Sequence, residues 1–260
     1  MLNLPLPKSV STLCIPLLLL APMAQAKVIE QSFSAQAGDT LYLKTDQGSI
    51  EIKTHNKRAI DVYVEIDGEE EDEFKVSFDE HSDGLKIRGE REDRHGWSRT
   101  RIAYLITVPQ EYNLDLNTAG GKIEIEDDLT GDIDARTSGG SISVASVNGD
   151  VQLHTSGGSI KTKDINGEID AHTSGGSINV TFAKQFTEDA TLNTSGGSIL
   201  AVLPADIKMD LDASTSGGRV RSDFEVDGRV KKRSIDGEVN GGGPQLKLHT
   251  SGGSIRIEKR

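Results

Sequence analysis

The residues of this chain that could do chemistry recur in columns. Asp132, Asp150 and Glu168 stand 18 residues apart, and Asp134 and Asp170 keep the same phase two residues further on. Carboxylates repeated on one face repel one another unless cations neutralise them. Calcium, which takes oxygen ligands, is the natural candidate for that strip. The nonapeptide calcium rolls place Asp within a G-G-x-G-x-D turn, and this chain lacks that pattern. The alternative is a solvated acidic strip that deters edge pairing. His154 and His172 are also 18 apart and could grip a transition metal. His249 shares their register but lies several coils further along the chain. The rest of that column (Asn117, Arg136, Asn193, Ser214) has the mixed character of a tolerant surface.

Other chemistries fit less well. Ser138, Ser156, Ser174, Ser195, Ser216 and Ser251 occupy equivalent positions, and there is no G-x-S-x-G. A nucleophile needs a base and an oxyanion site placed around one serine, not six. The Gly pairs have neither the following Lys nor the helix of a phosphate loop. Trp97, the only tryptophan, sits among cations in REDRHGWSRTR. It is a candidate contact for a sugar or a partner, or a cover for the end of the core. The run DGEEEDEF (67–74) reads as a solvated loop. No catalytic and no cofactor-binding residue stands out.

The elements that carry these columns are set by a repeat. The Thr of T-[SA]-G-G falls at 118, 137, 155, 173, 194, 215 and 250, at intervals of 19, 18, 18, 21, 21 and 35. A second motif lies midway, in LTGDIDART, VNGDVQLHT and INGEIDAHT. Ile133, Ile142, Val151, Ile160, Ile169 and Ile178 each follow a Gly by two. Apolar and polar residues alternate within each unit, which is the period of a strand. Short strands that cannot bury their own face stack on their copies. Ile142, Ile160 and Ile178 then form one inward ladder, and Ile133, Val151 and Ile169 another. The pairs Gly120 and Gly121, Gly139 and Gly140, Gly157 and Gly158, Gly175 and Gly176, Gly196 and Gly197, Gly217 and Gly218, and Gly252 and Gly253 are the corner turns. Thr137, Thr155 and Thr173 are in phase with the inward set, as a hydroxyl ladder able to bond turn backbone.

The expected fold is therefore all-β: a single-stranded β-solenoid of about 18–21 residues per coil. Residues 111–260 hold the coils. Residues 27–110 are strand-rich but irregular, with a degenerate T-D-Q-G-S-I in YLKTDQGSIEIKT, and are expected to cap the same solenoid. The interval of 35 holds the largest excursion, and the final SIRIEKR ends in charges that would blunt an open edge, which points to a monomer.

Residues 1–26, MLNLPLPKSVSTLCIPLLLLAPMAQA, read as a secretory signal peptide. One early cation, a short apolar run and the closing Ala-Gln-Ala predict cleavage before Lys27. The only cysteine, Cys14, lies inside it, so disulfides and thiolate chemistry are excluded from the mature protein. The chain holds 41 Asp and Glu against 29 Lys and Arg, a net charge of −12. Such a protein is a poor partner for nucleic acid. No later stretch is apolar enough for a membrane span.

The T-x-G-G-x-I repeats, the N-G-D/E-V-x-L units between them, a V-P strand before them and the leader resemble the bacterial putative-adhesin family of β-solenoids, a domain-of-unknown-function family. The resemblance runs from about Leu41 to the C-terminus and rests on seven repeats. It implies an exported solenoid and supplies no catalytic residues. The expected function is a non-enzymatic binding, adhesion or scaffolding module of the cell envelope, in the periplasm or at the cell surface. An envelope protein or a glycan is its partner class. Two alternatives remain: a polysaccharide-active β-helix enzyme using the carboxylates of the Asp132–Asp170 strip, and a calcium-stabilised surface module.

Overall fold

The computed structural model describes residues 26–68, 73–92 and 100–260. The leader, the middle of DGEEEDEF and Trp97 lie outside the described residues. The first strands are β1 (Lys27–Ser34), β2 (Thr40–Thr45), β3 (Ser49–His55), β4 (Ala59–Asp67), β5 (Phe74–His81), β6 (Gly84–Arg91) and β7 (Arg101–Pro109). The regular coils follow: β8 (Asn113–Thr118), β9 (Ile123–Ile125), β10 (Leu129–Thr130), β11 (Ile133–Thr137), β12 (Ile142–Val144), β13 (Val147–Asn148), β14 (Val151–Thr155) and β15 (Ile160–Asn166). They continue as β16 (Ile169–Thr173), β17 (Ile178–Phe182), β18 (Ala190–Thr194) and β19 (Ile199–Leu203). The last block is β20 (Met209–Thr215), β21 (Val220–Ser222), β22 (Asp227–Val230), β23 (Ser234–Val239), β24 (Gln245–Thr250) and β25 (Ile255–Lys259). No helix among the described residues is long and apolar enough to cross a membrane.

Each coil gives one strand to each of two sheets. The first sheet runs β1-β4-β7-β3-β9-β12-β15-β17-β19-β25-β21, and the second β22-β23-β20-β24-β18-β16-β14-β11-β8-β2-β6-β5. Alternation decides what faces inward: β14 is buried at Val151, Leu153 and Thr155 and exposed at Gln152 and His154. The register then stacks like on like. Ile142 pairs Ile160, which pairs Ile178, and Ile133 pairs Val151, which pairs Ile169. All six are 2% exposed or less. Burying each such side chain contributes about 1.5–3 kcal/mol, which lets a core with few aromatics suffice.

The TSGGS corner is held by a hydroxyl clasp. Thr155 donates from Oγ1 to the Gly140 carbonyl of the preceding coil at 2.7 Å, and the same Oγ1 accepts the Gly158 N–H of its own turn at 3.3 Å. Thr137, Thr173, Thr194, Thr215 and Thr250 repeat this geometry. Coils approach so closely that a Cβ on Gly158 would lie 2.1 Å from the Gly140 oxygen. A Cβ on Gly157 would meet nothing nearer than 3.2 Å. The two glycines of each pair therefore serve different ends, and crowding rather than a left-handed backbone makes the second one obligatory at this corner. At the N-terminal side the clasp ends differently: Thr45 donates to the Gln47 carbonyl at 2.8 Å, and the Tyr104 hydroxyl lies 3.0 Å from the Thr45 oxygen. Burial pushes the Tyr104 phenol well above its ordinary range.

Chain order is not spatial order at either end. The coil β2–β3 lies between β6–β7 and β8–β9, so the degenerate T-D-Q-G-S-I is a full internal coil. The coil β24–β25 lies between β18–β19 and β20–β21. This corrects two sequence expectations. SIRIEKR is not an open edge, because β25 is hydrogen-bonded on both sides, and the monomer argument built on that edge loses its premise. The interval of 35 is not a loose excursion: it carries β21, the second strand of the outermost coil, then β22 and β23, which pair antiparallel and cover β20. The chain goes out one coil and returns beneath it. The two three-residue insertions also support each other. Gln185 donates to the Lys208 carbonyl and accepts the Lys208 N–H, both at 2.8 Å, and Phe186 packs on Phe182 with ring centroids 5.3 Å apart.

Two outcomes follow. Gly158→Ala should cost about 2–3 kcal/mol, because main chain rather than a flexible side chain must move, while Gly157→Ala costs under about 1 kcal/mol. Urea melts of the two variants check this, and equal losses would count against close approach as the cause. Removing residues 245–260 should strip hydrogen-exchange protection from residues 209–239 as well, since their supporting coil is gone. A solenoid wound in simple chain order would leave those amides protected.

Candidate functional site

The structure distributes the sequence-predicted acids between two roles. Asp132, Asp150 and Glu168 lie at the corner opposite the TSGGS turn. There Asn113 Oδ1 accepts the Asp132 N–H at 2.9 Å, Asp132 Oδ1 the Asp150 N–H at 3.0 Å, and Asp150 Oδ1 the Glu168 N–H at 3.0 Å. The Asp132 and Asp150 carboxylates, with the Asn113 amide, are rungs of a side-chain-to-backbone ladder that locks successive coils, and Glu168 joins it through its N–H. Asp134 and Asp170 point outward from the second sheet, with Gln152 between them in register. Two strand spacings, about 9.6 Å, separate such positions, too far for one calcium ion with oxygens at about 2.3–2.6 Å. Each has a basic side chain beside it: Arg136 lies 2.6 Å from Asp134, and His172 lies 2.7 Å from Asp170. Burial holds the Asp134 carboxyl above its usual range, against the pull of Arg136 and with the help of Asp115.

The imidazoles do not converge either. The His154 and His172 rings are 6.4 Å apart between centroids. His249 is closer to them than chain order implies, because β24 pairs β18 and sets it beside Asn193 and Ser214. Its Nδ1 lies 3.1 Å from the Ser214 hydroxyl. Among the described residues no three His, Cys, Asp or Glu side chains gather as a metal site would require.

The site with the shape to hold a ligand was not foreseen. It is a groove of ≈ 530 Å³ on the outward face of the first sheet, where β1, β4, β7 and β3 lie side by side. Register builds it row by row. The central row reads Glu30, Tyr63, Leu105, Glu51 across four strands. The next row reads Ser32, Asp61, Thr107, Lys53, and the row on the other side, beyond the groove's lining, Val28, Glu65, Ala103, Ser49. Leu105 is 38% exposed and Val28 46%, two of the three exposed large hydrophobic residues among those described. An apolar floor is thus rimmed by carboxylates. Ser32 donates to Asp61 at 2.7 Å. Lys53 bridges Glu51 at 3.0 Å and Glu126 at 3.5 Å, and its hydrogen bond to Glu51 is the main cause of its raised pKa. A sequence signal for the groove did exist. In IDVYVEI and RIAYLITVP the inward phase is apolar as usual, but Tyr63 and Leu105 occupy the outward phase, where a solvated strand would carry polar residues.

Such a surface can accept a ligand with one apolar face and hydroxyl or cationic edges. An aromatic ring and a leucine cover C–H surface, and carboxylates accept hydrogen bonds at the rim.

Among solved structures, the chain is similar to a putative cell adhesion protein from Clostridium sporogenes, at 10% identity over 91% of this chain and 100% of the other, with a TM-score of 0.43. It is also similar to a putative adhesin from Bacteroides fragilis, at 15% identity over 91% and 99% with a TM-score of 0.39. A putative adhesin from Parabacteroides distasonis matches at 11% identity over 91% and 98%, with a TM-score of 0.38. No curated protein sequence matches the chain. The family model described as Toastrack DUF4097 matches residues 39–258, from the first internal coil through the last. This β-solenoid, with its glycine corners and threonine clasps, belongs to the Toastrack DUF4097 family.

Proposed function

We propose that this protein is an exported, non-enzymatic binding module of the cell envelope, and that the groove on β1, β4, β7 and β3 holds a segment of glycan. The observation that carries the reading is the central row Glu30, Tyr63, Leu105, Glu51. Four strands spaced about 4.8 Å apart give it a span of about 14 Å, the scale of a short oligosaccharide. Tyr63 and Leu105 cover the C–H face of a sugar ring, and Glu30, Glu51 and Asp61 accept from its hydroxyls. The leader read from residues 1–26 supports export. A passive role is supported by the commitments of the acidic strip: Asp132 and Asp150 bond backbone, Asp134 pairs with Arg136, and Asp170 sits beside His172. Asp134 and Asp170 line one small concavity of ≈ 130 Å³, well below the roughly 300–1,000 Å³ of an ordinary ligand cleft.

The test is a glycan array on the chain beginning at Lys27, followed by calorimetry with the best oligosaccharide. Tyr63→Ala should weaken binding roughly tenfold or more, in line with the loss of a central aromatic anchor, and leave the melting temperature within a few degrees. The oligosaccharide should come back uncleaved. Binding untouched by Tyr63→Ala would overturn the groove assignment. Cleavage lost in Asp150→Asn would establish the enzyme alternative instead.

A further inference from the structure

The outward face of the first sheet has an opposite character at its other end. Two columns cross it there. One reads Ser177, Ser198, Ser254, Arg219, and the other Asn179, Leu200, Arg256, Arg221, in spatial order. These residues line a second concavity of ≈ 440 Å³. The repeat's usual serine is replaced by Arg219 in TSGGRVRS, and Arg221 follows on the same face. The inserted last coil brings Arg256 directly opposite Arg221 in register. Residues 219–260 carry ten Lys and Arg against six Asp and Glu in a chain of net charge −12.

Two stacked guanidiniums at about one strand spacing repel each other. On the same sheet face, Lys122 lies 2.5 Å from Glu124, and Lys53 lies within reach of Glu51 and Glu126. Among the described residues the Arg219 and Arg221 side chains have no such acid, and Arg256 has only Glu258, at 3.5 Å. The hydroxyls beside them are donors in waiting. Ser177 Oγ accepts the Ser198 N–H, Ser198 Oγ the Ser254 N–H and Ser254 Oγ the Arg219 N–H, at 3.1, 3.2 and 3.3 Å. Each hydroxyl thus keeps its own proton to give outward.

We propose that Arg219, Arg221 and Arg256, with the hydroxyls of Ser198 and Ser254, form a binding site for a phosphate group. Three forked guanidiniums and two hydroxyls exceed the two oxygens of a carboxylate and match the oxygens and double charge of a phosphate ester. The phosphate relieves the repulsion that the register imposes between Arg221 and Arg256. The site is remote from the groove of Tyr63 and stands independently of it.

The experiment titrates the chain with inorganic pyrophosphate at fixed ionic strength and follows the arginine Nε–H signals by NMR. A second arm sediments it with phosphatidylcholine vesicles, with and without phosphatidic acid. Saturable shifts at Arg219, Arg221 and Arg256 are expected, weakened at least tenfold in the R219Q/R221Q double variant. Sedimentation only with phosphatidic acid, lost in the same variant, assigns the phosphate to a lipid. Shifts without sedimentation assign it to a soluble phosphate ester. Arg221→Gln should also melt higher than the unaltered chain in chloride, where its like-charged neighbour is unneutralised. No saturable response to either probe, or a response unchanged in the double variant, would overturn the site.

Discussion

The structure depends on how closely one coil lies on the next at the glycine corner. The carbonyl oxygen of one second glycine occupies the space that a Cβ on the following one would fill, as at Gly140 and Gly158. That contact sets the corners at strand spacing, lets the threonine hydroxyl span two coils, and keeps both sheets in one register. With the register set, the isoleucine ladders stack and are buried, and packing in turn holds the corner shut. The opposite corner uses a second device for the same end. Asp132 and Asp150 reach forward to the next coil's backbone, so acids that look free for chemistry in the sequence are largely structural.

A ladder of like coils is vulnerable at its ends, where the last coil has one neighbour. Here both ends are closed by the same topological device. The first complete coil, β2–β3, and the last, β24–β25, are each slotted between two others. Three of the four strands left outermost are covered by antiparallel additions: β4 and β1 on β7, β5 on β6, and β22 with β23 on β20, while β21 ends the first sheet. Two of these pairs, β5 with β6 and β22 with β23, are hairpins joined by short turns, while β1, β4 and β23 reach their partners across intervening strands.

Because corners and core carry the stability, outward positions are free to differ from coil to coil. Two concavities of the first sheet use that freedom in contrasting ways. Near the N-terminal strands an apolar floor is rimmed by acids, and near the inserted last coil three arginines meet a row of hydroxyls. A rigid sheet holds both at fixed spacing, so neither needs to be organised by its ligand.

The sequence by itself determined the coil. Interval, alternation and the T-x-G-G corner required stacked strands, because strands of period two with glycines at fixed intervals can bury their apolar face only on copies of themselves. The inward ladders and the threonine clasps were legible for the same reason: each depends on residues within one repeat and its identical neighbour. What only the tertiary structure decided is which coils are neighbours at the two ends. Nothing in SIRIEKR says that it will slot between β19 and β21, since a TSGGSI corner fits equally well against any other TSGGSI corner. The choice follows from β22 and β23 turning back over β20. That order of coils decides the rest. It sets His249 beside Asn193 and Arg256 opposite Arg221, and it places Tyr63, Leu105 and Glu51, drawn from three separated strands, in a single row.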